Sequence, residues 1–205
     1  MIGTKKQKGF TLIEVLVSIS VLLVISGVAV SIFLSVVMGQ RTILANQDLS
    51  GQLSYSLEYM SKALRMASKD QIGDTLAGGC LGSKGLNYLL TKRDLKDGVY
   101  KGIKFINGSD NGACQEFFLD QTNGKTVIKE IKNGGNSVAL TSDKINISAF
   151  KFILNGDMAG QSSYSTEDDQ TQPRVTISMS ANFWGSNNPL AVIQTTISQR
   201  NLNIK

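Results

Sequence analysis

Glu14 is the only ionisable side chain between Lys8 and Arg41, and it stands at the head of a long apolar run. From Val15 to Gln40 no residue is charged, and Val15–Val37 supplies 23 mostly apolar positions. As a helix that stretch covers roughly 35 Å, enough to cross a bilayer core. A carboxylate at the start of such a segment costs on the order of 2–3 kcal/mol to insert unless something neutralises it. Glu14 is therefore a candidate functional residue.

The chain contains no His, which removes Ser-His-Asp triads, imidazole acid/base chemistry and every His-containing metal site. No carboxylate pair with a catalytic context and no Walker-type phosphate loop is found, so no enzyme is expected and no cofactor or metal is assigned. Glu167-Asp168-Asp169 is an acidic run in a Ser/Gln-rich stretch. Its adjacent acids lack the spacing of a calcium loop, and it reads as solvated surface. Lys92, Arg93, Lys96, Lys101 and Lys104 surround Tyr88 and Tyr100. A phosphate-tracking groove would use such residues, but scattered surface cations are the plainer reading, and nucleic-acid binding is disfavoured.

Lys5, Lys6 and Lys8 precede the apolar segment. The positive-inside tendency keeps the N-terminus in the cytoplasm and exports everything after about Gly39. Cys80 and Cys114, the only two cysteines, then fall outside the cytoplasm, where a thiol pair usually oxidises. A bridge would enclose 33 intervening residues, worth roughly 3–4 kcal/mol by loop entropy. Free buried thiols and a reactive pair remain as alternatives.

The elements around these residues follow from periodicity. Leu49, Leu53, Leu57, Met60, Leu64 and Ala67 recur at four- and three-residue steps, one face of a helix. Asp48, Gln52, Ser56, Glu58, Lys62 and Arg65 form its solvated side. With no proline before Pro173, the helix is expected to run from about Phe10 to about Ser68. Gly27, Gly39 and Gly51 are potential soft points. Its first half is apolar all round and its second half amphipathic, so it serves two environments.

Residues 70–98 are Gly-rich and read as loops with one short apolar element at Leu86–Leu90. Strands are expected at Val99–Ile106, Glu116–Asp120, Thr126–Ile131, Ile145–Leu154, Arg174–Ala181 and Ile193–Ser198. Positive-φ turns are expected at Asn107-Gly108, Asn123-Gly124, Asn133-Gly134-Gly135 and Asn155-Gly156. Alternation through Val175–Met179 predicts a sheet with one buried and one wet face. The expected fold class is α+β, a long N-terminal helix on a C-terminal, mainly antiparallel β-sheet.

Residues 8–14, Lys-Gly-Phe-Thr-Leu-Ile-Glu, followed by the apolar run, resemble the class III signal of type IV pilins and type II secretion pseudopilins. The resemblance implies a pilin fold, cleavage between Gly9 and Phe10 by a prepilin peptidase, and N-methylation of Phe10. It also implies an assembly role for Glu14. It divides the chain into a leader (1–9), a transmembrane and filament-core helix (10–40) and an exported globular domain (41–205). Removing the three leader lysines takes the net charge from +5 to +2, so basicity is mainly a targeting feature. Leu140-Thr141-Ser142 through Phe152, Pro173–Ile177 and Thr195–Asn201 look like the closing strands of minor subunits of the J or W type.

The expected function is a minor pilin or pseudopilin, held in the cytoplasmic membrane by a single pass and then assembled into a periplasmic or cell-surface filament. Its expected partners are other subunits, the peptidase/methyltransferase and the inner-membrane assembly platform. The alternatives are a DNA-binding or adhesive minor pilin, and a signal-anchored exported binding protein. An ordinary secretory signal fits less well. Its apolar core is about half as long, and its cleavage site follows that core.

Overall fold

The computed structural model describes residues 9–73, 79–122, 124–156, 172–183 and 191–200. Among the described residues one helix, α1 (Leu12–Arg65), is followed by nine strands. These are β1 (Ala67–Ser68), β2 (Tyr88–Arg93), β3 (Tyr100–Asn107), β4 (Ala113–Thr122) and β5 (Lys125–Lys132), then β6 (Val138–Ala139), β7 (Ile145–Asn155), β8 (Arg174–Phe183) and β9 (Ala191–Ser198). Two compact units divide the chain, Met1–Ala45 and Asn46–Lys205.

The second unit is α+β. Its strand order is β6-β5-β4-β3-β7-β8-β9, with β1 and β2 also paired to β3, and every pairing is antiparallel. Strands β3 and β7 meet at a single register pair, Tyr100 with Phe152. This one rung joins the β1–β6 half of the sheet to the β7–β9 half.

The helical stripe is the centre of the core. Leu49, Leu53, Met60, Leu64 and Ala67 are almost fully buried and Leu57 nearly so, packed with Tyr88, Ile103, Phe105, Phe117, Ile128 and Ile177. Tyr59 meets Phe117 edge-on at 6.0 Å between ring centroids, and Phe117 meets Phe105 at 5.6 Å. Strand β8 alternates as its sequence predicts, with Val175, Ile177, Met179 and Ala181 buried. Strand β7 shows why a strict alternation is not needed. Ile145 and Ile147 are buried, and so are Phe150 and Phe152. The register irregularity between Ile147 and Ala149 changes the phase so that both pairs face the core.

Several boundaries differ from the sequence expectation. The helix starts at Leu12 and not at Phe10, and it stops at Arg65, although the apolar spacing continues to Ala67 and the expected end is about Ser68. Those two residues pair instead with Asn107 and Ile106 of β3. The exposed carbonyls at the helix end find distant donors. The Tyr88 hydroxyl donates to the Leu64 carbonyl at 2.7 Å, the Arg200 N–H to Arg65 at 2.8 Å and the Gly108 N–H to Met66 at 2.9 Å. The Gln199 side-chain amide donates to the Ala67 carbonyl at 2.8 Å. A helix terminus must satisfy these acceptors somewhere, and here three separate segments do it.

Ser56 is buried, not solvated: its hydroxyl donates to the Gln52 carbonyl and approaches that of Leu140 at 3.3 Å. The short element expected at Leu86–Leu90 is strand β2, shifted to Tyr88–Arg93. The Asn107-Gly108 turn also moves. Asn107 is buried, giving a side-chain hydrogen bond to Gln115 at 2.8 Å and accepting from Ser109, and the positive φ values fall on Asn111 and Gly112. Gly124, Asn133, Gly134 and Gly156 do adopt positive φ. Asn123 and the Glu167-Asp168-Asp169 run lie outside the described residues.

Candidate functional site

The first unit is dominated by an apolar helix with no covering. Phe10 is 80% exposed, and Leu12, Leu23, Val30 and Phe33 all exceed half exposure. The helix is long and apolar enough to cross a membrane, and none of its most apolar window is buried. It continues through Gly27, Gly39 and Gly51 without a break. Three of its serine hydroxyls are turned onto its own backbone: Ser18 donates to the Glu14 carbonyl, Ser20 to Leu16 and Ser31 to Val28, at 2.8–2.9 Å. Back-bonding of this kind lets a polar residue enter hydrocarbon without an orphan donor.

At the head of the helix, Gly9 and Phe10 lie before the first turn, and Glu14 is within it. Thr11 occupies the capping position. The Glu14 N–H points at the Thr11 carbonyl (3.1 Å) and hydroxyl (3.4 Å). Thr11-Leu12-Ile13-Glu14 therefore has the Thr-x-x-Glu spacing of a capping box, a signal in the sequence that the reading of Glu14 as a lone membrane charge passed over. An acidic residue in the first turn is also favoured by the positive end of the helix dipole. The arrangement leaves the Phe10 segment non-helical, next to an exposed carboxylate.

The second unit holds Cys80 and Cys114 as a disulfide, with Cα atoms 5.5 Å apart. Beside it is a feature that sequence reading missed. Asp70 is 1% exposed, and its carboxylate accepts four backbone N–H groups: Ile72 at 3.0 Å, Gly73 at 2.8 Å, Cys80 at 2.9 Å and Leu81 at 2.7 Å. Burial alone would raise its pKa. The N–H donors of Leu81, Gly73, Ile72 and Cys80 outweigh that and hold it below the ordinary carboxylate range. Gly73 sits so close to Lys84 that a Cβ would fall 2.3 Å from the Lys84 nitrogen. Asp70-Gln71-Ile72-Gly73 was the available signal, an Asp starting a local turn ahead of a Gly.

A second buried polar chain links helix and sheet. The Tyr59 hydroxyl donates to both Glu130 oxygens at 3.0 and 3.1 Å, the Gln115 amide also donates to Glu130, and Asn107 donates to Gln115. Burial, with the hydrogen bond to Glu130, raises the Tyr59 pKa.

Three of the cations singled out in the sequence have partners within the domain. Tyr88 is fully buried. Lys101 forms an ion pair with Asp94 at 2.5 Å, Lys92 lies over the Phe118 ring at 5.2 Å, and Arg93 over Tyr100 at 5.9 Å. Among the described residues, no group of three or more His, Cys, Asp or Glu side chains could hold a metal ion.

Residues 4–30 match the family described as the prokaryotic N-terminal methylation motif. No curated protein and no solved structure matches the chain. The methylation motif, the apolar helix behind it and the long helix on an antiparallel sheet define a type IV pilin-like subunit with an α+β pilin-like fold. Such a chain is a structural subunit and not an enzyme, and its motif implies contact with other pilin subunits and with a prepilin peptidase.

Proposed function

We propose that the chain is a minor pilin or pseudopilin of a type IV pilus or type II secretion filament, of the J or W type. Before processing, the helix stores it in the cytoplasmic membrane as a single pass, with residues 1–9 in the cytoplasm and the sheet domain outside. Cleavage after Gly9 then frees a positively charged amine on Phe10, which is N-methylated. The inner-membrane assembly platform moves the trimmed subunit into a periplasmic or surface filament.

One observation carries this reading: Glu14 is the only charge in the exposed apolar stretch 12–40 of α1, and it sits in the first turn beside the Phe10 segment. In the filament, Glu14 of one subunit meets the freed amine of a neighbour. An unmatched charge among apolar helices is penalised, so only the correct axial stagger is retained. Lateral energy comes from Leu16, Leu23, Val30, Phe33 and Val37, with Ser20, Gly27 and Ser31 permitting close approach.

Glu14→Ala and Glu14→Val test the pairing. Both variants are expected to insert into the membrane normally and to co-purify poorly with the filament; normal incorporation would remove the charge-pairing account. Gly9→Leu is expected to keep its leader, and trimming at Phe10 in that variant would refute the cleavage assignment.

A further inference from the structure

The two halves of the disulfide are held in place by separate polar clamps. On one side, Asp70 receives the N–H groups of both Cys80 and Leu81, while its backbone N–H donates to the Leu86 carbonyl and its carbonyl accepts from the Gly85 N–H. On the other side, Cys114 pairs with Ile106 of β3, and Asn133 grips it twice. The Asn133 side-chain oxygen accepts the Cys114 N–H at 2.9 Å, and the Asn133 N–H donates to the Cys114 carbonyl at 2.7 Å. Neither clamp uses the sulfur atoms. The Cys80 sulfur also lies 3.7 Å from the Phe105 carbonyl, an acceptor that becomes useful only when the sulfur carries a proton.

From this geometry we infer that Asp70 is a positioning residue for Cys80, which holds the reduced thiol within bonding range of Cys114. The disulfide then locks Cys80 and Leu81 where Asp70 already holds them. Bringing two thiols together normally costs loop-closure entropy. Here the hydrogen bonds of Asp70 and Asn133 have met that cost before oxidation. The covalent step is thiol–disulfide exchange with a small disulfide such as oxidised glutathione. Cys80 and Cys114 lose their S–H protons, one protein S–S bond forms, and the glutathione S–S bond breaks. The two electrons and two protons leave on two glutathione thiols.

The test is a redox titration of the full chain in detergent micelles, equilibrated in glutathione buffers, with free thiols trapped by alkylation and counted by mass. Asp70→Asn keeps one acceptor oxygen and places an NH2 group against two N–H donors. It is expected to shift the equilibrium toward the dithiol by about tenfold or more. Leu57→Ala, a core change remote from the loop, is the control and should leave the equilibrium near wild type wherever the protein stays folded. An unchanged titration for Asp70→Asn, or an equal shift in Leu57→Ala, would overturn the inference. A second measurement needs no variant. After reduction of the wild type, the amides of Ile72, Gly73, Cys80 and Leu81 should stay protected from hydrogen exchange. Their loss on reduction would show that the disulfide builds the loop and Asp70 does not.

Discussion

The amide of Glu14 lies 3.1 Å from the carbonyl oxygen and 3.4 Å from the hydroxyl of Thr11, so the one charged residue in the apolar stretch 12–40 belongs to the helix cap. This placement gives Glu14 two tasks. An acidic side chain in the first turn is favoured by the helix dipole, and under the proposed function its exposed carboxylate meets a neighbouring subunit. Thr11 sets where the helix begins, and Phe10 lies before its first residue, Leu12.

The two halves of α1 predict a clean division of mutational effects. Leu53 is 1% exposed, whereas Leu23 is 68% exposed. Leu53→Ala leaves a cavity in the core and should destabilise the domain by about 2–5 kcal/mol, read by denaturant or thermal unfolding. Leu23→Ala should leave that transition where it is and reduce recovery in the filament.

The stripe containing Leu53 was legible in the sequence because three- and four-residue steps are a local property of a helix. The same holds for β8, where alternate residues go inward, and for the apolar run. The helix end was not legible. Nothing local distinguishes Ala67 and Ser68 from another turn of helix; pairing with β3 and the distant donors Tyr88, Gly108, Gln199 and Arg200 decide it. Asn107-Gly108 shows the reverse failure, a strong local turn signal displaced because the Asn107 side chain is claimed by Gln115 and Ser109. Asp70 escaped because its value lies in four donors arriving from two separate stretches of chain.

Gly102 is fixed by a neighbour on the adjacent strand. A Cβ there would stand 2.3 Å from the Thr91 hydroxyl oxygen, which donates to Glu116 at 2.7 Å. Gly102→Ala should therefore cost about 1–3 kcal/mol through overpacking. The double variant Gly102→Ala, Thr91→Ala removes the colliding oxygen and should lose less than the two single changes added together, a coupling visible in an unfolding cycle.

Asp70 makes stability depend on acid. Its pKa in the folded protein is lowered, so the folded state binds this proton less readily than the unfolded chain, where a free Asp titrates near pH ~3.9. The contribution is fully present above that value and fades as pH falls through the lower, folded-state pKa. Asp70→Asn should cost roughly 2–4 kcal/mol near neutrality, because two buried N–H groups lose their acceptor. It should also flatten the loss of stability below pH ~4. Unfolding measured against pH for both proteins checks the sign. A variant with the same acid slope as wild type would contradict the assignment.

The most direct measurement is the intact mass of the subunit recovered from cells that carry the matching prepilin peptidase. The account predicts a chain that begins at Phe10, has lost residues 1–9 and carries one methyl group on its terminal nitrogen. A recovered chain that still begins at Met1 would contradict it. Glu14 would then have no freed amine to meet, and the helix would serve only as a membrane tether.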